Sequence, residues 1–176
     1  TISIYGHIEQ NNMDVVVLEK APKIAIYTPP NKQPWDYAVT LALSYAEVPY
    51  ETLWDEDVFQ GKLENYDWLH LHHEDFTGQY GKFYRNYHSA PWYIQQQKEF
   101  EAMAAKHGFP TVHEEKKGLA RAIKAYVGTG GFLFAMCSAT DSYDIALATE
   151  GLDAAHSVFD GTPVVPQVQD KLDYSK

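Results

Sequence analysis

The run Ile24-Ala25-Ile26-Tyr27, closed by Pro29-Pro30, constrains the fold more than any other stretch of the chain. It is apolar at every position and lacks the alternation of a strand with one wet face. Such a run suits a strand buried on both sides of a parallel sheet. Residues 50–54, 67–72 and 132–136 have the length and composition of further strands. Helical spacing of apolar residues falls between them, over about 35–47, 92–107, 114–127 and 141–150. Pro34 fits the opening of the first helix and Pro49 stops it. Gly108 sits where a helix ends in the left-handed conformation. Leu119, Ala122, Ile123, Tyr126 and Val127 make the stripe of the third helix, which Gly128 through Gly131 end.

The expected order is β-α-β-β-loop-α-α-β-α, with a long loop over 73–91. Strands alternating with helices predict an α/β fold: three layers, a mostly parallel sheet and helices on both faces. Residues 1–22 read as a lead-in segment, in which Val15 to Leu18 is a short apolar run after the turn at Asn11-Asn12. Residues 23–151 read as the α/β core, and the Pro- and Asp-rich residues 152–176 as the start of a C-terminal extension. A start at Thr1 and an end at Asp173-Tyr174-Ser175-Lys176 read as a piece of a longer protein.

Composition narrows the function classes. With 45% apolar and 22% charged residues, the 176-residue chain can bury a core. Its net charge of -10 argues against binding nucleic acid or anionic membranes. No apolar run approaches the roughly 20 residues of a membrane span. One cysteine allows no internal disulfide.

That cysteine is the most informative single residue. Cys137 follows an apolar strand, precedes a helix and lies among small residues, Ala135-Met136-Cys137-Ser138-Ala139. A sharp strand-to-helix turn of this kind exposes a nucleophile, and the helix N-terminus raises the reactivity of a thiol. The alternative is a buried apolar cysteine at a strand end.

The second candidate is His70-Leu71-His72-His73-Glu74-Asp75. Alternation puts His70 and His72 on one face, with His72, His73 and Glu74 at the strand end. Imidazole beside carboxylate suits general acid–base work. His72, His73 and Asp75 are also weak candidates for zinc, although their spacing matches no standard zinc motif. No other cofactor is expected. Gly78 and Gly81 lie in the aromatic loop 76–84, and with Ser138 they are candidates for backbone donors to an oxyanion. The 13 tyrosines and 4 tryptophans, many of them in 76–93, suit a ligand pocket or a protein interface.

The strand-Ala-Met-Cys137-Ser-Ala-helix block resembles the class I glutamine amidotransferase-like, or flavodoxin-like, fold. Residues 67–80 and 131–141 more closely resemble a Bacteroidota family whose members are commonly named asparagine synthetase B. The resemblance implies a cysteine-nucleophile amidase or amidotransferase with a His base, a domain incomplete at its C-terminus, and a periplasmic or envelope location. Three departures shape the expectation. Ala135 and Ala139 stand where working class I glutaminases carry glycine. After Cys137 the chain offers only Glu150 and His156, not a His-x-Glu pair. No Gly-rich phosphate signature supports ATP-dependent synthesis. The leading expectation is therefore a non-catalytic binding or assembly domain of a larger envelope protein, partnered by another protein or by the remainder of the same chain. The cysteine amidase is the alternative and a metal site at His72/His73 the third.

Overall fold

A computed structural model describes residues 2–11, 21–29, 38–71, 77 and 80–176. Its centre is a four-stranded, all-parallel sheet, ordered β2-β1-β3-β4, of β1 (Ile24–Tyr27), β2 (Tyr50–Leu53), β3 (Trp68–Leu71) and β4 (Phe132–Ala135). The register sets Tyr27 opposite Leu53 and Leu71, and Leu71 opposite Ala135, so the strands end level. Asp67 fixes where β1 and β3 begin. Its carboxylate accepts the Lys23 N–H at 2.8 Å, and its own N–H donates to the Lys23 carbonyl at 2.9 Å.

The described helices are α1 (Ile2–Gln10), α2 (Ala38–Tyr45), α3 (Asp55–Phe59), α4 (Tyr84–Tyr87), α5 (Pro91–Lys106), α6 (Val112–Gly128), α7 (Ser138–Ala148) and α8 (Ser157–Asp160). Four stand where the expected order has no helix: α4 lies in the expected loop 73–91 and α8 in the C-terminal extension, both a single turn of four residues, and α1 and α3 are the other two. The passage from β2 to β3 is a helical crossover, α3 followed by a 3-10 turn at Lys62–Asn65, where direct strand succession was expected. The reason is geometric: β2 and β3 flank β1 and run parallel to it, so the chain must leave the sheet and return to its starting edge. Asp55, Glu56 and Asp57 favour a helix start there, and the Asp57 carboxylate accepts the Trp54 N–H at 3.0 Å. The lead-in carries helix α1, which its sequence did not announce. The run Val15 to Leu18 lies outside the described residues.

One face of the sheet packs on α3, α6 and α7. Ala25, Tyr27, Leu69 and Leu71 meet Val58, Leu119, Ala120, Ile123 and Ala139 in one apolar cluster. Each large aliphatic side chain contributes roughly 1.5–3 kcal/mol by leaving water. Ile24, Ile26 and His70 alternate to the opposite face and are buried as well. The stripe of α6 is shifted from the one expected: Ala120 is buried and Val127 is exposed. A second cluster joins Tyr80, Phe100, Ala104 and Val112, so part of the aromatic loop is core.

The helix ends follow their sequence signals. Pro91 is the first residue of α5. Gly108, at φ 79°, closes it: the Gly108 N–H donates to Ala105 O at 3.0 Å and the Phe109 N–H to Ala104 O at 2.9 Å. The Thr111 hydroxyl accepts the Glu114 N–H at the start of α6.

Candidate functional site

Met136 and Cys137 alone join β4 to α7, which starts at Ser138 rather than near 141. The Cys137 backbone has φ 53° and ψ -138°, in the left-handed half of conformational space that side chains other than glycine avoid. The turn is locked from both sides. The Cys137 carbonyl accepts the Thr140 N–H at 3.2 Å and its hydroxyl at 2.6 Å, and the Met136 carbonyl accepts the Ala139 N–H at 3.1 Å. Ala139 is wholly buried in the main core, which explains a small side chain there. The thiol is exposed. The sequence pattern of a strained, outward-facing turn is therefore present in the backbone itself.

The other expected site residues are less concentrated. His72, His73, Glu74, Asp75 and Gly78 lie outside the described residues. Ser138 opens α7, and its carbonyl accepts the Ser142 hydroxyl at 2.9 Å. Gly81 faces the ring of Phe159 so closely that a Cβ there would come within 2.9 Å of it. His70 is buried, with its ring stacked on Phe134 at 5.5 Å. The residues after Cys137 have local duties. Glu150 takes Arg121 Nη1 on both oxygens, at 2.8 and 2.7 Å, and His156 Nδ1 accepts the Val158 N–H at 3.2 Å to cap α8.

Sequence reasoning missed a buried charged group beside the carboxyl ends of β1 and β2. Asp55 is fully enclosed. It accepts the Tyr27 hydroxyl, and it pairs with Lys116 Nζ at 2.5 Å. Lys116 also lies over the rings of Trp54, at 4.2 Å, and Phe100, at 5.0 Å. Such flanking lets aromatic faces take the place of water around the ammonium. Glu115 stands 3.8 Å from the same Nζ. Burial pushes its carboxyl up to about 8; Lys116 opposes this and the negative Asp55 reinforces it. The sequence Glu114-Glu115-Lys116-Lys117 looks like a solvated helix start, so only the fold reveals that three of its four residues are buried.

A cavity of about 340 Å³ opens beside α6, lined by Tyr80, His113, Lys116, Lys117, Phe159 and Asp160 among others. Cys137 does not line it. The described residues thus hold the thiol and the cavity at separate places.

No protein-family model matches the chain, and no curated protein or solved structure matches it.

Proposed function

We infer that the chain is a thiol-dependent hydrolase domain of the amidase type, with Cys137 as its nucleophile. The observation that carries this reading is the backbone of Cys137, φ 53° and ψ -138°, at the head of α7 with the thiol exposed. A conformation costing about 1–3 kcal/mol persists where the surrounding structure enforces it, and such positions cluster at active sites. The strand order β2-β1-β3-β4 supports a flavodoxin-like arrangement, in which ligands bind outside the carboxyl ends of the strands. Cys137 leaves β4 at that edge. β3 ends level with β4, and the reading assigns the base to His72 or His73, which follow Leu71 directly in sequence. Sγ attacks the substrate carbonyl as the base takes its proton. The leaving amine departs with that proton, and water then hydrolyses the thioester.

The experiment is acyl transfer to the enzyme. Wild-type protein incubated with p-nitrophenyl acetate is expected to give a burst of nitrophenol and an acetyl adduct that peptide mass spectrometry places on Cys137. In Cys137→Ser, with an unchanged circular dichroism spectrum, the burst should fall by roughly 100-fold or more. An equal burst in that variant removes Cys137 from the role.

A second reading is favoured by a different observation. β4 is an edge of the described sheet, and Phe132 and Phe134 on it are 57% and 41% exposed. An open strand edge with aromatic side chains suits a binding or assembly domain of a larger envelope protein. Stable co-purification of one partner, lost in Phe132→Lys, supports that reading.

A further inference from the structure

We propose that His113, Asp153 and Asp160 form a three-ligand site for a first-row divalent cation such as Zn²⁺, open to the cavity beside α6. His113 is the second residue of α6, and the two aspartates come from the segment after α7. His113 Nε2 lies 3.2 Å from Asp160 Oδ2 and 3.8 Å from Asp153 Oδ1. The three donor atoms are all within 4.8 Å of one another. Two ligands bound tetrahedrally at ~2.1 Å stand about 3.4 Å apart, so the spacing is that of groups around one ion.

Asp160 supplies the second observation. Its side chain is only 2% exposed, and Oδ2, buried, has no hydrogen-bond partner. A charged oxygen held dry beside a His113 Nε2 that lies 3.2 Å away but makes no aligned hydrogen bond to it is costly, and a cation between the two removes that cost. The protein fixes the other oxygen of each aspartate: Asp160 Oδ1 accepts the Thr162 N–H at 2.9 Å and Asp153 Oδ2 the Thr162 hydroxyl at 2.6 Å, while Asp153 Oδ1, the oxygen facing the histidine, also accepts the Ala155 N–H at 3.1 Å. Behind the imidazole, Nδ1 faces Glu114 Oε1 at 3.6 Å, and Lys117 Nζ holds that carboxylate at 2.9 Å. A carboxylate behind a ligating histidine is the usual outer arrangement of a metal site. One imidazole with two carboxylates suits Zn²⁺ or Mn²⁺ better than Ca²⁺ or Cu⁺. His113 and Asp160 both line the cavity, which leaves a further coordination position for water or a small oxygen-donor ligand. None of these residues takes part in the Cys137 reading, so the two stand or fall separately.

The test is a titration of the full chain, stripped with chelator, with ZnCl₂. Calorimetry counts sites, and histidine ring nitrogen NMR identifies the ligand among the eight histidines. One equivalent is expected, with His113 Nε2 shifted to a metal-bound position. His113→Ala and Asp160→Asn should each weaken binding by roughly tenfold or more. Asp160→Asn keeps an oxygen for the Thr162 N–H; should either variant fail to fold, the ring spectrum of the wild type decides. The proposal is overturned by the absence of saturable binding, by zinc on another histidine, or by unchanged affinity in both variants. It is equally overturned if the His113 ring nitrogen signals do not move when zinc is added, which would make the cluster a plain ion pair.

Discussion

Glu115 illustrates how far the fold changes what a residue does. In sequence it is one of four charges opening a helix. In the structure it is buried beside Asp55 of α3 and Lys116 of α6, and the Tyr27 hydroxyl of β1 meets both of those, donating to Asp55 and lying 3.4 Å from Lys116 Nζ. Its carboxyl is pushed from the ordinary 4.5 up to about 8, chiefly by burial. The folded chain therefore holds this proton at pH values where the unfolded chain has lost it. The associated stability is fully present below about pH 4.5 and is lost as pH rises through about 8. Urea midpoints of the wild type should fall across that window, and those of Glu115→Gln, which stays neutral, should fall less. Parallel profiles would show that Glu115 is not the group responsible. Cys137 was legible from sequence because small neighbours and a strand-to-helix junction are local signals. Lys116 and Asp160 were not, since partners 61 residues away for the one and 47 for the other (160 minus 113) leave no local trace.

At the scale of elements, punctuation was the readable part. The four strands stand within one or two residues of their expected bounds, and Pro91 and Gly108 delimit α5 as their chemistry dictates. The crossover helix α3 was hidden because five residues are too few for a periodic pattern. The turn from α6 to β4 shows a close approach that sequence reports only as a glycine pair. A Cβ on Gly131 would come within 2.2 Å of the Tyr126 ring, whose hydroxyl donates to the Tyr66 carbonyl at 3.2 Å. Gly131→Ala must displace that ring. It is expected to cost about 1–3 kcal/mol in urea denaturation. A loss below a few tenths would mean that the ring moves aside freely.

At the scale of the whole molecule, the junction at Cys137 is tied to the sheet through β4 and to the core against α6 and α7 through Ala139. Ala139 is anchored in the core, β4 is hydrogen-bonded to β3, and the residue between them absorbs the strain. The thiol therefore owes its strained backbone and its place at the head of α7 to the complete fold. Helix α7, with 11 residues, is long enough to present its N-terminal dipole to the sulfur. The unfolded chain has neither the turn nor the helix. The most direct test compares the rate at which iodoacetamide alkylates Cys137 in the native protein and in the urea-unfolded chain, at one pH, read by intact mass. The account predicts a single adduct that forms faster in the folded state, with the difference abolished once α7 unfolds. Alkylation at an equal or slower rate in the native protein would contradict it and leave Cys137 a structural residue.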